Sequence, residues 1–146
     1  MTQLYTIGFT KKSAEKFFDL LKKNEVLELV DTRISNNSQL AGFAKASDLK
    51  FFSSALCNID YSHELNFAPT KELLAKYRKK ELSWEEYEIE YLNLLDLRKV
   101  AHKSDIEKLH RHCLLCSEHL PDFCHRRLLA EYFQAKFNGV EIKHLF

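Results

Sequence analysis

Glycine and proline are scarce, three and two in 146 residues, and no apolar run approaches the roughly 18 residues of a membrane-spanning helix. So few turn-formers exclude collagen-like, linker-rich and many-turned all-β designs and favour long helices. Charge of one sign is also missing. Lys and Arg number 22 against 21 Asp and Glu, a net charge of +1. That balance argues against a broad nucleic-acid-binding field or a membrane-seeking face, so any basic site has to be local. The start, Met1-Thr2-Gln3-Leu4-Tyr5, has no basic region leading an apolar stretch, and the expected location is cytoplasmic. There Cys57, Cys113, Cys116 and Cys124 are expected as reduced thiols rather than disulfides.

What is present is 45% hydrophobic and 29% charged residues, the composition of one globular domain over 1–146. At this length folding buries roughly 70% of the unfolded surface, enough to stand without a staple. Thr2 to Ile7 is rich in strand formers and stops at Gly8, so it reads as a first strand. Ser13 caps an amphipathic helix carrying Ala14, Phe17, Phe18 and Leu21, and Val26 to Val30 suits a strand buried on both faces. Ile34 to Gly42 is a polar loop. Ser47 starts a helix with a core face of Leu49, Phe52, Ala55 and Leu56, and Ile59 to His63 returns as a third strand.

Thr70 to Arg98 holds two helical patterns, the second opened by Ser83 and Glu86 at capping-box spacing. Its stripe of Trp84, Tyr87, Tyr91, Leu94 and Leu95 fits one helix face, which favours core packing over a base-stacking platform. Ser104 and Glu107 repeat the capping spacing before a short helix, and His112 to Cys116 is a fourth strand. Asp122 caps the last long helix, Asn138-Gly139 ends it, and Val140 to Leu145 alternates as a final strand. The predicted fold is α/β and Rossmann-like: a mostly parallel sheet of about five strands flanked by helices, with a helical side wall or lid at about 70–98.

Ligands of such sheets sit beyond the carboxyl ends of the strands. Those ends bring together Thr10, Asp31, Arg33, His63, Cys116 and Glu118, and the next loop adds Cys124, His125 and Arg126 at a helix start. Cys116, Glu118, Cys124 and His125 are the candidate catalytic groups. Thr10, Asp31, Arg33, His63 and Arg126 are the candidates for binding substrate. A helix start with nearby arginines favours a thiolate at Cys124, and the place of Cys116 at a strand end beside a polar turn favours a chemical role there; a buried, inert thiol is the plain alternative for each. Glu118 suits acid–base work if it is buried. An ion pair of Asp31 with Arg33 or Arg126 is as well supported as direct catalysis. His102, His110 and His144 read as surface residues.

No cofactor is predicted. The Cys-x2-Cys at 113 and 116 invites zinc, but on a strand residues three apart point to opposite faces; a mixed site from Cys116, Cys124 and His125 is the metal alternative. Gly8-Phe9-Thr10-Lys11-Lys12 matches neither the Walker nor the dinucleotide pattern, which disfavours ATP and NAD.

Leu29-Val30-Asp31-Thr32-Arg33, Ser38-Gln39-Leu40-Ala41-Gly42-Phe43, His63-Glu64 with Ala68-Pro69, Trp84 with Tyr87 and Tyr91, and Leu114 to Glu118 through Cys124-His125-Arg126-Arg127-Leu128-Leu129-Ala130 together resemble the domain-of-unknown-function 488 family. The resemblance implies a compact parallel α/β domain whose Asp-x-Arg, Cys-x-Glu and Cys-His-Arg positions correspond to Asp31, Arg33, Cys116, Glu118, Cys124, His125 and Arg126. It leaves the reaction open. The expected function is an enzyme acting on a small anionic, nucleotide-like substrate by hydrolysis or group transfer. The alternatives are a non-catalytic module for a nucleotide or nucleic-acid end, and a thiol redox or metal protein. A membrane partner is not expected, and the sequence does not set the oligomeric state.

Overall fold

A computed structural model describes residues 1–37 and 42–146; the Ser38-Gln39-Leu40-Ala41 part of the polar loop and of the family pattern lies outside them. The chain runs β1 (Thr2–Gly8), α1 (Ala14–Lys23), β2 (Glu28–Asp31), α2 (Ala46–Cys57), β3 (Asp60–His63), α3 (Lys71–Arg78), α4 (Trp84–Leu97), α5 (Val100–Lys103), β4 (His112–Cys116), α6 (His125–Lys136) and β5 (Val140–Leu145). The five strands form one parallel sheet in the order β3-β2-β4-β1-β5. The α/β fold is as predicted.

Strand periodicity assigns the two cores. Leu4, Val30, Leu114 and Val140 point to the face covered by α3 to α6, and Tyr5, Ile7, Leu29, Cys113, Leu115 and Leu145 to the face covered by α1 and α2. Connections running one way along the sheet cross one face and those running back cross the other, as right-handed crossovers require. Adjacent β1 and β4 lead to opposite faces, so their carboxyl ends border a crevice. The 70–98 segment is tied into one face, with Leu73, Tyr87, Tyr91 and Leu95 buried in its core.

Several boundaries differ from expectation, each for a local reason. After Asn24 the chain turns through Glu25 at positive φ and the Val26 N–H bonds back to Leu21, so β2 starts at Glu28 rather than Val26. Helix α2 starts at Ala46, before Ser47, and buries only Leu49 and Ser53. It lies over the edge strand β3, which leaves Ala55 and Leu56 exposed. Asp105, not Ser104, caps the short turn Ile106–Leu109; the Ser104 hydroxyl donates to the Val100 carbonyl instead. A turn at 122–123 moves the start of α6 past Asp122 to His125, with Cys124 at the N-cap. The capping box of Ser83 and Glu86 is formed as predicted.

Among the described residues no helix is long and apolar enough to cross a membrane. His102 is exposed, but His110 and His144 are not free surface groups. His110 Nδ1 accepts from the Gln3 N–H at 3.1 Å, and His144 Nδ1 lies 2.6 Å from the Thr6 hydroxyl.

Candidate active site

A cavity of about 400 Å³ opens at the carboxyl edge of the sheet, within the range of small-molecule pockets. Phe9 follows β1, Arg33 follows β2, Cys116 ends β4 with Ser117 and Glu118 behind it, and Cys124 and His125 begin α6; the far wall comes from Tyr77 and Arg78 of α3, Trp84 and Tyr87 of α4, and Phe123. Four residues expected to act chemically therefore meet: Cys116, Glu118, Cys124 and His125 all line this space. Of the expected binding residues, only Arg33 does.

Asp31 is fully buried and belongs to an ion pair. Its Oδ1 accepts from Arg33 Nε at 2.8 Å, and its Oδ2 from Arg33 Nη2 at 2.7 Å and the Tyr61 hydroxyl at 2.6 Å. Two parallel N–H donors on one carboxylate fix the guanidinium plane. Arg33 Nη2 also donates to the Ala44 carbonyl, and the Phe9 ring lies 5.1 Å from the guanidinium carbon. The remaining nitrogen, Nη1, is buried without a hydrogen-bond partner among the described residues, although Arg33 lines the cavity. Such a donor is costly unless something accepts from it.

Arg126 is placed differently. It is 0% exposed and lies behind the cavity lining rather than in it. Its Nη1 donates to Cys116 Sγ at 3.2 Å and to the Glu118 carbonyl, Nη2 to the His119 carbonyl at 3.2 Å, and Nε to the Thr6 hydroxyl at 3.3 Å. Burial pulls its pKa down to about 10, so it stays charged at neutral pH. It holds the β4–α6 loop and places a positive charge on one sulfur. Thr10 and His63 are exposed and stand outside the cavity lining. The Thr10 N–H ties the β1 loop to the Ser117 carbonyl at 3.0 Å, and His63 Nε2 donates to the Arg33 carbonyl at 2.6 Å. Glu118 is exposed, so the burial that was to tune its carboxyl is not there.

The sulfurs of Cys116 and Cys124 are in disulfide contact, with Cα atoms 7.6 Å apart. The expectation of four free thiols is thereby corrected: it holds for Cys57 and Cys113 only. A pairing across the β4–α6 loop is not visible in a strand-and-helix pattern, because an eight-residue loop sets it. Cys113 packs on the opposite face from Leu114, as the strand argument requires. Cys116, Cys124 and His125 each offer one ligand atom within 4.8 Å of the others, so this group could hold a metal ion.

The tautomer of His125 follows from Thr32. The Thr32 hydroxyl donates to the Leu115 carbonyl at 2.8 Å, so its oxygen accepts from His125 Nε2 at 2.9 Å, as does the Thr32 carbonyl at 2.9 Å. Nε2 therefore carries the hydrogen and Nδ1 keeps a lone pair. Burial lowers the His125 pKa to about 4, against the Thr32 backbone bond that raises it. The unfolded chain takes up a proton below about pH 6.5 that the folded chain refuses until about pH 4. Stability contributed by neutral His125 is thus present above pH 6.5 and lost as the pH falls through that window. Chemical unfolding between pH 7 and 4 is expected to show a loss on the order of 2 kcal/mol in the wild type that is missing in His125→Gln. Equal slopes in the two proteins overturn the assignment.

Phe9, Arg78 and Phe123 line the cavity without having been expected as site residues, and Trp84 packs against the core as its helical period predicts while also lining the cavity. The helical period of Trp84, Tyr87 and Tyr91 was the available signal, but it does not say that the first two residues line the cavity while Tyr91 does not.

Residues 13–133 match the family described as Domain of unknown function DUF488. The chain belongs to this family. The match to DUF488 spans β2, α3, α4, β4 and most of α6, and so takes in every residue of the cavity except Phe9. No curated protein and no solved structure matches the chain.

Proposed function

We propose that the cavity is the active site of an enzyme that acts on a small anionic substrate in the size class of a nucleotide, with Cys116 as nucleophile. One observation carries the proposal: Arg33, whose buried Nη1 has no hydrogen-bond partner among the described residues, lines the same cavity as both cysteines. Two equivalents of a small thiol convert the cysteine pair to the dithiol and leave as their own disulfide. The Cys116 thiol then loses its proton to solvent, and Sγ, held as the thiolate beside Arg126, bonds to the electrophilic centre of the substrate. The bond to the leaving group breaks with its electron pair, and the leaving group takes a proton from water. Water or a second acceptor releases Cys116 as the thiol. Arg126 stabilises the sulfur anion through its 3.2 Å contact.

The test is a panel of nucleoside mono- and diphosphates followed by calorimetry and product analysis under reducing conditions. Saturable binding, weakened about tenfold or more by Arg33→Lys, and product that disappears in Cys116→Ser support the enzyme reading. Lysine keeps a charge for Asp31 but not the third nitrogen of the fork. Binding without product in the wild type indicates a non-catalytic nucleotide module; no binding by any member removes the anion site.

A second reading is zinc held by Cys116, Cys124 and His125, favoured by the way Thr32 occupies Nε2 and leaves Nδ1 as the ligand. Metal-bound histidines commonly donate their other N–H to a backbone carbonyl in this way. Two sulfurs and one nitrogen facing a cavity leave a fourth position for water or substrate, the pattern of a catalytic zinc site. Protein purified with reductant and no added zinc is expected to hold about one equivalent, lost in the Cys116→Ser, Cys124→Ser double variant. Metal-free reduced protein that binds no added zinc overturns this reading.

A further inference from the structure

The rings of α4 form a graded stack. Tyr91 and Tyr87 lie at 9° with centroids 6.3 Å apart, and Tyr87 and Trp84 at 20° and 5.2 Å. Tyr91 and Tyr87 are 0% and 2% exposed, so their faces are used by the core. Trp84 is half-buried and lines the cavity. Trp84 stacks on Tyr87, whereas Tyr77 packs against it at 64° and 5.5 Å and Phe123 at 88° and 5.5 Å, both edge-type contacts rather than further layers of the stack. Phe123 is 63% exposed and lines the same space, an apolar surface that the core does not explain.

We propose that the outer face of Trp84 is the seat of a planar ring, the fourth layer of the Tyr91–Tyr87–Trp84 stack, and that the ligand class is a nucleoside monophosphate. The proposal rests on the anion reading of the same cavity, since a ring on Trp84 and an anion on Arg33 Nη1 are two ends of one molecule. Stacking on an aromatic face tolerates any base, because every base has a π-face, and an electron-rich indole is the strongest partner among the side chains here. Arg78, exposed on the last turn of α3 and lining the mouth, adds positive charge on the same side. The charge near the ring thus also favours an anionic ligand over a neutral one.

Trp84 is the one tryptophan in the chain, so its fluorescence reports the seat directly. The probes are AMP, GMP, CMP and UMP, the four matching nucleosides, and ribose 5-phosphate, with reductant present. Expected are saturable quenching of Trp84 by at least the purine monophosphates and calorimetric affinity for ribose 5-phosphate about tenfold weaker or less. In Trp84→Leu, nucleotide affinity falls about tenfold while that for ribose 5-phosphate is unchanged. Trp84→Phe restores part of the loss and keeps the stack should leucine loosen the wall. Ribose 5-phosphate binding as tightly as AMP overturns the ring seat and leaves the anion site standing. Nucleosides that quench as strongly as nucleotides sustain the seat and remove the anion site. Absence of quenching by all eight nucleosides and nucleotides overturns the seat outright.

Discussion

Gly8→Ala is expected to lower stability on the order of 3 kcal/mol or more, a fall in melting temperature of roughly 10 °C for a chain of this size. Gly8 ends β1 directly opposite Cys116 at the end of β4. A Cβ there overlaps the backbone carbonyl of Glu118 and comes within 2.9 Å of Arg126 Nη1. Neither can step aside cheaply, because that carbonyl accepts from that nitrogen and the arginine is fully buried. Conformational freedom is not what requires glycine at this position; space is. The methyl group would push the β4–α6 loop away from β1, and with it Cys116, Ser117 and Glu118. A second readout follows: reactivity of Cys116 toward iodoacetamide in the reduced protein should change along with stability. Gly42→Ala is the control, since a Cβ at Gly42 meets nothing within 4 Å among the described residues, and its effect should stay within about 0.5 kcal/mol. A Gly8→Ala protein melting within 2 °C of the wild type shows that the loop does not approach β1 as described.

The parts of this fold that were legible in the sequence are those set by local period. His112 to Cys116 and Val140 to Leu145 are strands with the predicted bounds, and Ser83 caps α4 because a hydroxyl and a Glu three residues on satisfy two orphan N–H groups reciprocally. The alternation that separates Cys113 from Cys116 follows from a period of two and held. The convergence at the carboxyl edge was legible as well, since parallel strands deliver their following loops to one side. What failed depended on contacts that no period encodes. Whether Leu56 is buried depends on α2 covering an edge strand, and whether Asp122 or Cys124 begins α6 depends on a turn inside a loop of eight residues. The candidate site shows the same division. Five of the nine candidate residues, Arg33, Cys116, Glu118, Cys124 and His125, line the cavity, but the roles of the two arginines were not legible. Arg33 follows a strand and Arg126 begins a helix at the same edge of the sheet, yet Arg33 keeps one nitrogen without a partner among the described residues and Arg126 has all three engaged behind the cavity lining. That difference is settled by which acceptors surround each guanidinium: a carboxylate two residues away for Arg33, and loop carbonyls for Arg126.

Arg126→Met should be the most damaging single change on α6, at about 3–5 kcal/mol, while its neighbour Arg127→Ala should cost less than about 1 kcal/mol. The two residues are adjacent, carry the same charge and sit on the first turn of one helix. Arg127 is half-buried and reaches Glu131 at 2.8 Å and Glu88 at 3.8 Å, contacts that water and salt largely replace. Arg126 is 0% exposed, and the Thr6 hydroxyl, Cys116 sulfur and the carbonyls of Glu118 and His119 are all directed at it. Methionine fills most of the volume but accepts none of the four roles, so the cost is that of acceptors left dry in the interior rather than of a hole. Arg126→Lys separates charge from geometry. One ammonium cannot reach four acceptors spread over a planar fork, so lysine should recover less than half of the loss, with the loop still unlocked. Denaturant unfolding under reducing conditions measures all three proteins on one scale. If lysine restores full stability, charge alone matters and the fork does not; if Arg126→Met is no worse than Arg127→Ala, the β4–α6 loop is held by something other than this guanidinium, and the placement of Cys116 beside the cavity loses its physical cause.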